Sequence, residues 1–203
     1  MYKIIKRILD FLVSLFAIVA LSPVLAITAI VVKADSEGPV FFVQKRIGKD
    51  KKHFNMFKFR SMRTDTPHDM PTHLLNDPDA FITKVGKFLR KSSLDELPQL
   101  FNILKGDMSI VGPRPALWNQ DDLIAERDKY NANSIRPGLT GWAQVNGRDE
   151  LEIPLKAKFD GEYVDKMSLL FDIKCIVDTA LQVVKHEGVV EGGTGTLNNS
   201  DKE

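Results

Sequence analysis

Apolar residues run without a charge from Phe11 to Val32, and lysine or arginine stands on both sides of the run. The run exceeds the ~18 residues that mark a membrane-helix candidate, yet Ser22-Pro23 falls at its middle. Proline removes a backbone donor, crowds the preceding turn and biases the residue before it away from helix. A serine at that point can hydrogen-bond a backbone group that the break leaves free. Val40 to Ile47 and His53 to Met62 then read as strands around the polar turn Gly48 to Lys52, with Phe57 and Phe59 alternating with Lys58 and Arg60. Residues 64–79 are rich in Pro, Asp and Thr and predict a mobile surface loop. From Phe88 to Leu104, apolar residues at helical spacing predict one helix, stopped at Gly106. Further helices are predicted over Asp121 to Tyr130, Ile153 to Lys166 and Leu169 to His186. The last of these carries Ile173, Ile176, Val177, Ala180, Leu181 and Val184 on one face. The pattern predicts a mixed α/β, mainly helical protein. It divides the chain into a membrane element over 1–34, a domain over 35–188 and a flexible Gly-, Asn- and Ser-rich tail over 189–203.

Charge decides little in bulk and more in its placement. Lys+Arg number 28 against 27 Asp+Glu in 203 residues, a balance that argues against a nucleic-acid partner. Locally, Lys3, Lys6 and Arg7 precede the apolar run, and Lys33, Lys45, Arg46, Lys49, Lys51 and Lys52 follow it. The positive-inside bias would keep both flanks on one side, which a straight span cannot do. A turn-back and a proline-kinked span both stay open. The run is too long for a signal-peptide core of about 7–15 residues. The single cysteine, Cys175, excludes an internal disulfide and a Cys-based zinc site, and the histidines lack ligand spacing.

The strongest chemical candidate is "RKSSLDELPQLFN", where Asp95 and Glu96 follow Arg90 and Lys91. Adjacent carboxylates can hold a divalent cation and offer a nucleophile. The competing explanation is a capping box, Ser93-x-x-Glu96, although Pro98 sits awkwardly in the helix that box would open. In "GPRPAL", Arg114 is held between Pro113 and Pro115, a rigid setting for a bidentate grip on phosphate. Arg148 after Gly147, and Lys58 with Arg60, are further anion candidates. Asp77-Pro78-Asp79 reads as turn chemistry. Neither a GxxxxGK[ST] loop nor a GxGxxG or HExxH pattern is present.

The ordered blocks "GPVFFVQKRIG", "FNMFKFRSM", "LRKSSLDELPQLFNILKGDMSIVGPRP" and "RPGLTGWAQVNGR", with the last amphipathic helix, resemble the bacterial sugar transferase family of monotopic phosphoglycosyl transferases. They cover most of residues 3–186. The short chain, with one membrane segment, looks like the family's minimal catalytic form. It is similar to the members that initiate bacterial N-linked protein glycosylation from UDP-diacetylbacillosamine. The resemblance implies transfer of a sugar 1-phosphate from a UDP-sugar to polyprenyl (undecaprenyl) phosphate, with release of UMP and with Mg²⁺ as cofactor. It implies that Asp95 is the nucleophile, forming a covalent phosphosugar intermediate, and that Glu96 helps hold the metal. Lys58, Arg60, Arg90, Arg114 and Arg148 would neutralise phosphate, Pro113-Arg114-Pro115 would form part of the nucleotide pocket, and Asp160 in "KFDGEY" would be a further metal ligand or base. It further implies a re-entrant helix broken at Ser22-Pro23, held in one leaflet of the bacterial inner membrane with the catalytic domain on the cytoplasmic face. The final helix would lie in the interface or pack on the core, and a homo-oligomer is left open. Ser61 stands where the family more often has Thr, which keeps the hydroxyl. The alternatives are a non-catalytic membrane-anchored module that binds lipid or nucleic acid, a plain glycosyltransferase, and a polytopic transferase, for which one apolar segment is too few.

Overall fold

The computed structural model describes residues 2–67, 78–147 and 151–185. Its helices are α1 (Tyr2–Ala20), α2 (Ser22–Asp35), α3 (Lys84–Lys91), α4 (Gln99–Lys105), α5 (Asp121–Asp128), α6 (Trp142–Val145), α7 (Ile153–Lys166) and α8 (Leu169–Lys185). Between them lie β1 (Phe41–Ile47), β2 (His53–Phe59), β3 (Ser109–Val111) and β4 (Gly138–Thr140). The fold is mixed α/β and mostly helical. β1 and β2 form an antiparallel hairpin with Phe41 opposite Phe59 and Ile47 opposite His53, and β3 pairs with β4 in parallel. The two helices predicted over 153–166 and from Leu169 onward are found as α7 and α8, and the polar helix from Asp121 as α5. The helix expected from Phe88 to Leu104 is instead three pieces. α3 ends at Lys91, a 3-10 turn covers Leu94–Glu96, and α4 starts only after Pro98. Ser93 takes a left-handed φ of 57°, which an α-helix cannot accommodate, and Pro98 has no N–H to join the turns. Residues 68–77 of the expected loop, and the tail from residue 186, lie outside the described residues.

α1 and α2 are bent 64° from one another at Leu21. No single described helix is long and apolar enough to cross a membrane, although this bent pair is so by length and composition together. The break is chemically tidy. In a continuous helix the Val19 carbonyl would accept from residue 23, which is proline; here Ser22 Oγ donates to that carbonyl at 2.8 Å. Pro23 falls in the first turn of α2, where a missing N–H costs nothing. Ala17, Ile18 and Leu21 rest against a core of Phe54, Met56, Leu100, Ile103 and Met108, while Val32 of α2 joins Phe59 and Leu89.

α1 is built inside out. Its polar residues Lys6, Asp10 and Ser14, one helical turn apart, are buried. Asp10 accepts from Ser109 Oγ at 2.8 Å and from the Ile110 amide at 3.0 Å, which satisfies a β3 amide. Lys6 reaches Asp172 of α8 at 2.7 Å, and Asp172 also accepts from Tyr2 and Tyr163, each at 2.6 Å. Arg7 donates to the Ile103 and Leu104 carbonyls at 2.7 and 2.9 Å, in the last turn of α4, where a cation also suits the helix dipole. Lys6 and Arg7, expected as a charged flank before the apolar run, are thus inside the helix and bound to protein. Most of its apolar residues face outward, with Phe16 75% exposed. α8 repeats the inversion. Asp172 and Cys175 point inward, whereas Leu170 is 79% exposed and Ile173, Ile176, Val177 and Leu181 are exposed with it. The apolar face read from the sequence of α8 therefore does not pack on the core. Exposed apolar surface on this scale marks a protein or membrane interaction surface.

The buried network sets an order of cost. Asp172→Ala leaves Lys6 without its close partner and should destabilise the protein by about 3–5 kcal/mol. Lys6→Met should cost less, because two phenol groups still serve Asp172. Denaturant unfolding of the full chain in micelles checks that ranking, which equal losses would contradict.

Candidate functional site

The site is assembled from four segments of chain, the last turn of α3 with Arg90 among them. The 3-10 turn at Leu94–Glu96 carries Asp95 and Glu96, β2 brings Lys58, and the loop after β3 brings Arg114. Lys58 Nζ lies 2.8 Å from Glu96 Oε1, and Arg114 Nη2 lies 3.3 Å from the same oxygen. Ser93 makes no side-chain cap bond, so the capping box does not form. Its left-handed backbone turns the dyad out of helical register, a conformation costing roughly 1–3 kcal/mol for a residue with a Cβ. Arg114 is held by its surroundings. The Arg46 guanidinium donates to the Pro115 carbonyl at 2.9 Å, and Gly138 N–H donates to the Pro113 carbonyl at 2.8 Å. The loops after β3 and around β4 meet backbone to backbone at Gly112 and Gly138. A Cβ on Gly138 would lie 2.1 Å from the Gly112 nitrogen.

Asp95 is 7% exposed, and burial raises its carboxyl pKa above the ordinary value. The neighbouring Glu96 charge pushes the same way, while Lys58, Arg90 and Arg114 pull it back. Three cations therefore act on one buried carboxyl. Asp95, Glu96, Lys58, Arg90 and Arg114, each picked from the sequence, come together.

Two expected members do not join them. Arg60 is buried, and its guanidinium donates to the carbonyls of Pro39 (2.6 Å), Val32 (3.2 Å) and Ser36 (2.6 Å). It clamps the end of α2 onto the hairpin, so its guanidinium is taken up by backbone carbonyls. Asp160, expected as a metal ligand or base, is 1% exposed and pairs with Arg127 of α5 at 2.6 Å. It ties α7 to α5, and no group of three His, Cys, Asp or Glu among the described residues could hold a metal. Arg148 and Asp77 lie outside the described residues. Asp95 and Glu96 remain as a carboxylate pair, which fits Mg²⁺, an ion usually bound by one or two carboxylates, waters and substrate phosphates. The residues that sequence reasoning missed are Asp10, Asp172 and Tyr163. The signal for Asp10 was available as Lys6, Asp10 and Ser14 at helical spacing in an otherwise apolar helix.

A buried carboxyl under three cations, beside helices that turn their apolar faces outward, defines a centre for anionic groups next to an apolar surface. The chain belongs to the bacterial sugar transferase family, whose profile matches residues 1–186. It is 40% identical over 186 residues to the uncharacterized sugar transferase EpsL of Bacillus subtilis, covering 92% of this chain and 90% of that protein. It is 41% identical to the UDP-glucose:undecaprenyl-phosphate glucose-1-phosphate transferase of Xanthomonas campestris, covering 90% of this chain. It is 38% identical to the UDP-N-acetylgalactosamine-undecaprenyl-phosphate N-acetylgalactosaminephosphotransferase of Aeromonas hydrophila, covering 88% of this chain. The chain spans 39% and 43% of the length of these last two proteins.

The raised Asp95 carboxyl has a consequence for stability. The folded state keeps this proton to higher pH than the unfolded chain, so no cost exists below about pH 3.9. The cost grows as pH rises through the interval up to the folded pKa and is full above it. Asp95→Asn should therefore raise the denaturation midpoint at neutral pH and change it little near pH 3. A lower midpoint at pH 7 would contradict this reading.

Proposed function

We propose that the chain transfers a sugar 1-phosphate from a UDP-sugar to undecaprenyl phosphate and releases UMP. The observation that carries the reading is Asp95, buried on its 3-10 turn beneath the charges of Lys58, Arg90 and Arg114. The activities printed for the Xanthomonas and Aeromonas relatives support it. In the first half-reaction an Asp95 carboxylate oxygen attacks the β-phosphorus of the UDP-sugar. An acyl-phosphate bond forms, the bond from the β-phosphorus to the bridging oxygen breaks, and UMP leaves with that oxygen. In the second, a phosphate oxygen of undecaprenyl phosphate attacks the same phosphorus and Asp95 leaves as carboxylate. Arg114 and Lys58 act by neutralising the transferring group and the leaving phosphate, the main protein contribution to phosphoryl transfer. Their grip on Glu96 keeps both cations oriented before substrate arrives. Asp95 and Glu96 would hold Mg²⁺, which when bound supplies further charge neutralisation on the diphosphate. Burial makes Asp95 harder to ionise, and the cations compensate for this while leaving the carboxylate poorly solvated and reactive.

The bent α1–α2 pair is read as a re-entrant element in one leaflet of the inner membrane, with the domain on the cytoplasmic face. Its outward apolar face and that of α8 support this placement. Such a placement presents Asp95 to a soluble nucleotide sugar and a lipid phosphate at one surface. The sugar differs between relatives, glucose in one and N-acetylgalactosamine in another. UDP-diacetylbacillosamine stays in the panel to be tested beside them.

The deciding experiment is UMP release over a panel of UDP-sugars with undecaprenyl phosphate and Mg²⁺. Intact-mass analysis before lipid is added should show one phosphosugar adduct. Asp95→Asn should lose activity on the order of 10⁴-fold or more, and normal turnover by that variant would remove the nucleophile. Release of UDP would instead identify a plain glycosyltransferase. For topology, Cys175 is 0% exposed, so cysteines introduced at Lys3 and Glu37 can be labelled without background. Both should be shielded from an impermeant reagent outside intact cells, and labelling of one alone would establish a span.

A further inference from the structure

A second basic site lies at the foot of α1, away from Asp95. A cleft of about 100 Å³ is lined by Lys3, Lys6, Arg7, Lys49 and Arg136, with Asp10 as its one acid. None of Lys58, Arg90, Asp95, Glu96 or Arg114 takes part in it. The lining charges do not cancel. Lys6 is answered by Asp172 at 2.7 Å and lies 4.0 Å from Asp10. Among the described residues, Arg7 and Arg136 are hydrogen-bonded to backbone carbonyls alone: Arg7 to Ile103 and Leu104, Arg136 to Gly106 at 2.8 Å. Those bonds fix the guanidinium planes without neutralising them, and the carbonyl end of α4 supplies only partial negative charge. Among the described residues, neither these arginines nor Lys3 forms an ion pair with a carboxylate, and Lys49 is met by the exposed Asp50 at 3.7 Å. Two pinned guanidinium groups and two exposed lysines around a cleft suit a phosphate anion.

The setting points to the source of that phosphate. Lys3 is followed on α1 by Ile4 and Ile5, both exposed, and Met167, which also lines the cleft, leads into exposed Leu169 and Leu170 of α8. The first turns of α1 and α8 are joined by Tyr2, which donates to Asp172. The cleft therefore opens between two outward apolar faces, where a phosphate carrying acyl chains gains contacts that a free phosphate lacks. We propose that this cleft binds the phosphate headgroup of an anionic phospholipid, with the acyl chains along α1 and α8. It is a structural lipid site that clamps the foot of α1 to the domain.

The test uses the full chain in nanodiscs of equal phosphatidylglycerol and phosphatidylcholine, with retained lipid identified by native mass spectrometry. The wild type should retain phosphatidylglycerol in preference. Lys3→Gln should weaken that preference about fivefold, the weight of one basic residue at an anionic surface, and Lys3→Gln/Lys49→Gln about 25-fold. Both side chains are exposed, and the Lys49 pair with Asp50 is itself at the surface, so folding is not at issue, and UMP release in detergent should be unchanged. Equal retention of the two lipids, or an unaltered preference in the double variant, would overturn the proposal. Displacement of the lipid by millimolar inorganic phosphate would overturn its lipid source and make the cleft a free-phosphate site.

Discussion

The structure depends on the burial of a polar stripe on a helix whose other faces are apolar. Lys6, Arg7, Asp10 and Ser14 cannot be left in an apolar medium unpaired; β3, α4 and α8 supply partners for the first three, and Ser14 donates back to the Phe11 carbonyl of α1. Once those contacts form, the rotation of α1 is decided and Ile4, Ile8, Phe11 and Phe16 must face away from the protein. Asp172 is the common anchor. It gathers Tyr2 and Lys6 of α1 with Tyr163 of α7, so the inverted polarity of α1 and that of α8 have one cause. The Ser22-Pro23 break then turns α2 so that Val32 meets Phe59 and Leu89, close to Leu94 of the dyad turn.

The Asp95-Glu96 turn is placed by features that look unfavourable one at a time. Ser93 is left-handed without being glycine, Asp95 is a buried carboxyl, and Glu96 is gripped by two cations. Together they hold a carboxyl at higher free energy than it would have in water, beneath the charges of Lys58, Arg90 and Arg114. Around it, loops packed on glycine backbone and the Pro-Arg-Pro segment leave Arg114 little freedom. Rigidity here comes from main-chain contact, although Arg114 itself rests on a loop.

Much of this was legible beforehand for stated reasons. The Asp-Glu pair and the Pro-Arg-Pro segment are short-range patterns whose chemistry is carried by the residues themselves. The broken apolar run is legible because proline acts locally on the backbone. Arg60 and Asp160 were misread because a charged side chain in a sequence does not reveal its partner. Arg60 had three carbonyls waiting near the end of α2, and Asp160 had Arg127 across a helix contact. The single helix expected from Phe88 failed for a different reason. Its apolar spacing continues through Ser93 and Pro98, and only the backbone shows that the register is interrupted.

The sequence by itself determined the positions of most helices, the break at Ser22-Pro23, the family resemblance and the core of the acidic site. Those depend on periodicity, on proline geometry and on residues close together in the chain. Tertiary structure alone decided which way the amphipathic helices face and which cations reach Asp95. A helical pattern states that two faces differ, but not which one meets protein. That choice was made by Asp172 and its partners, contributed from opposite ends of the chain.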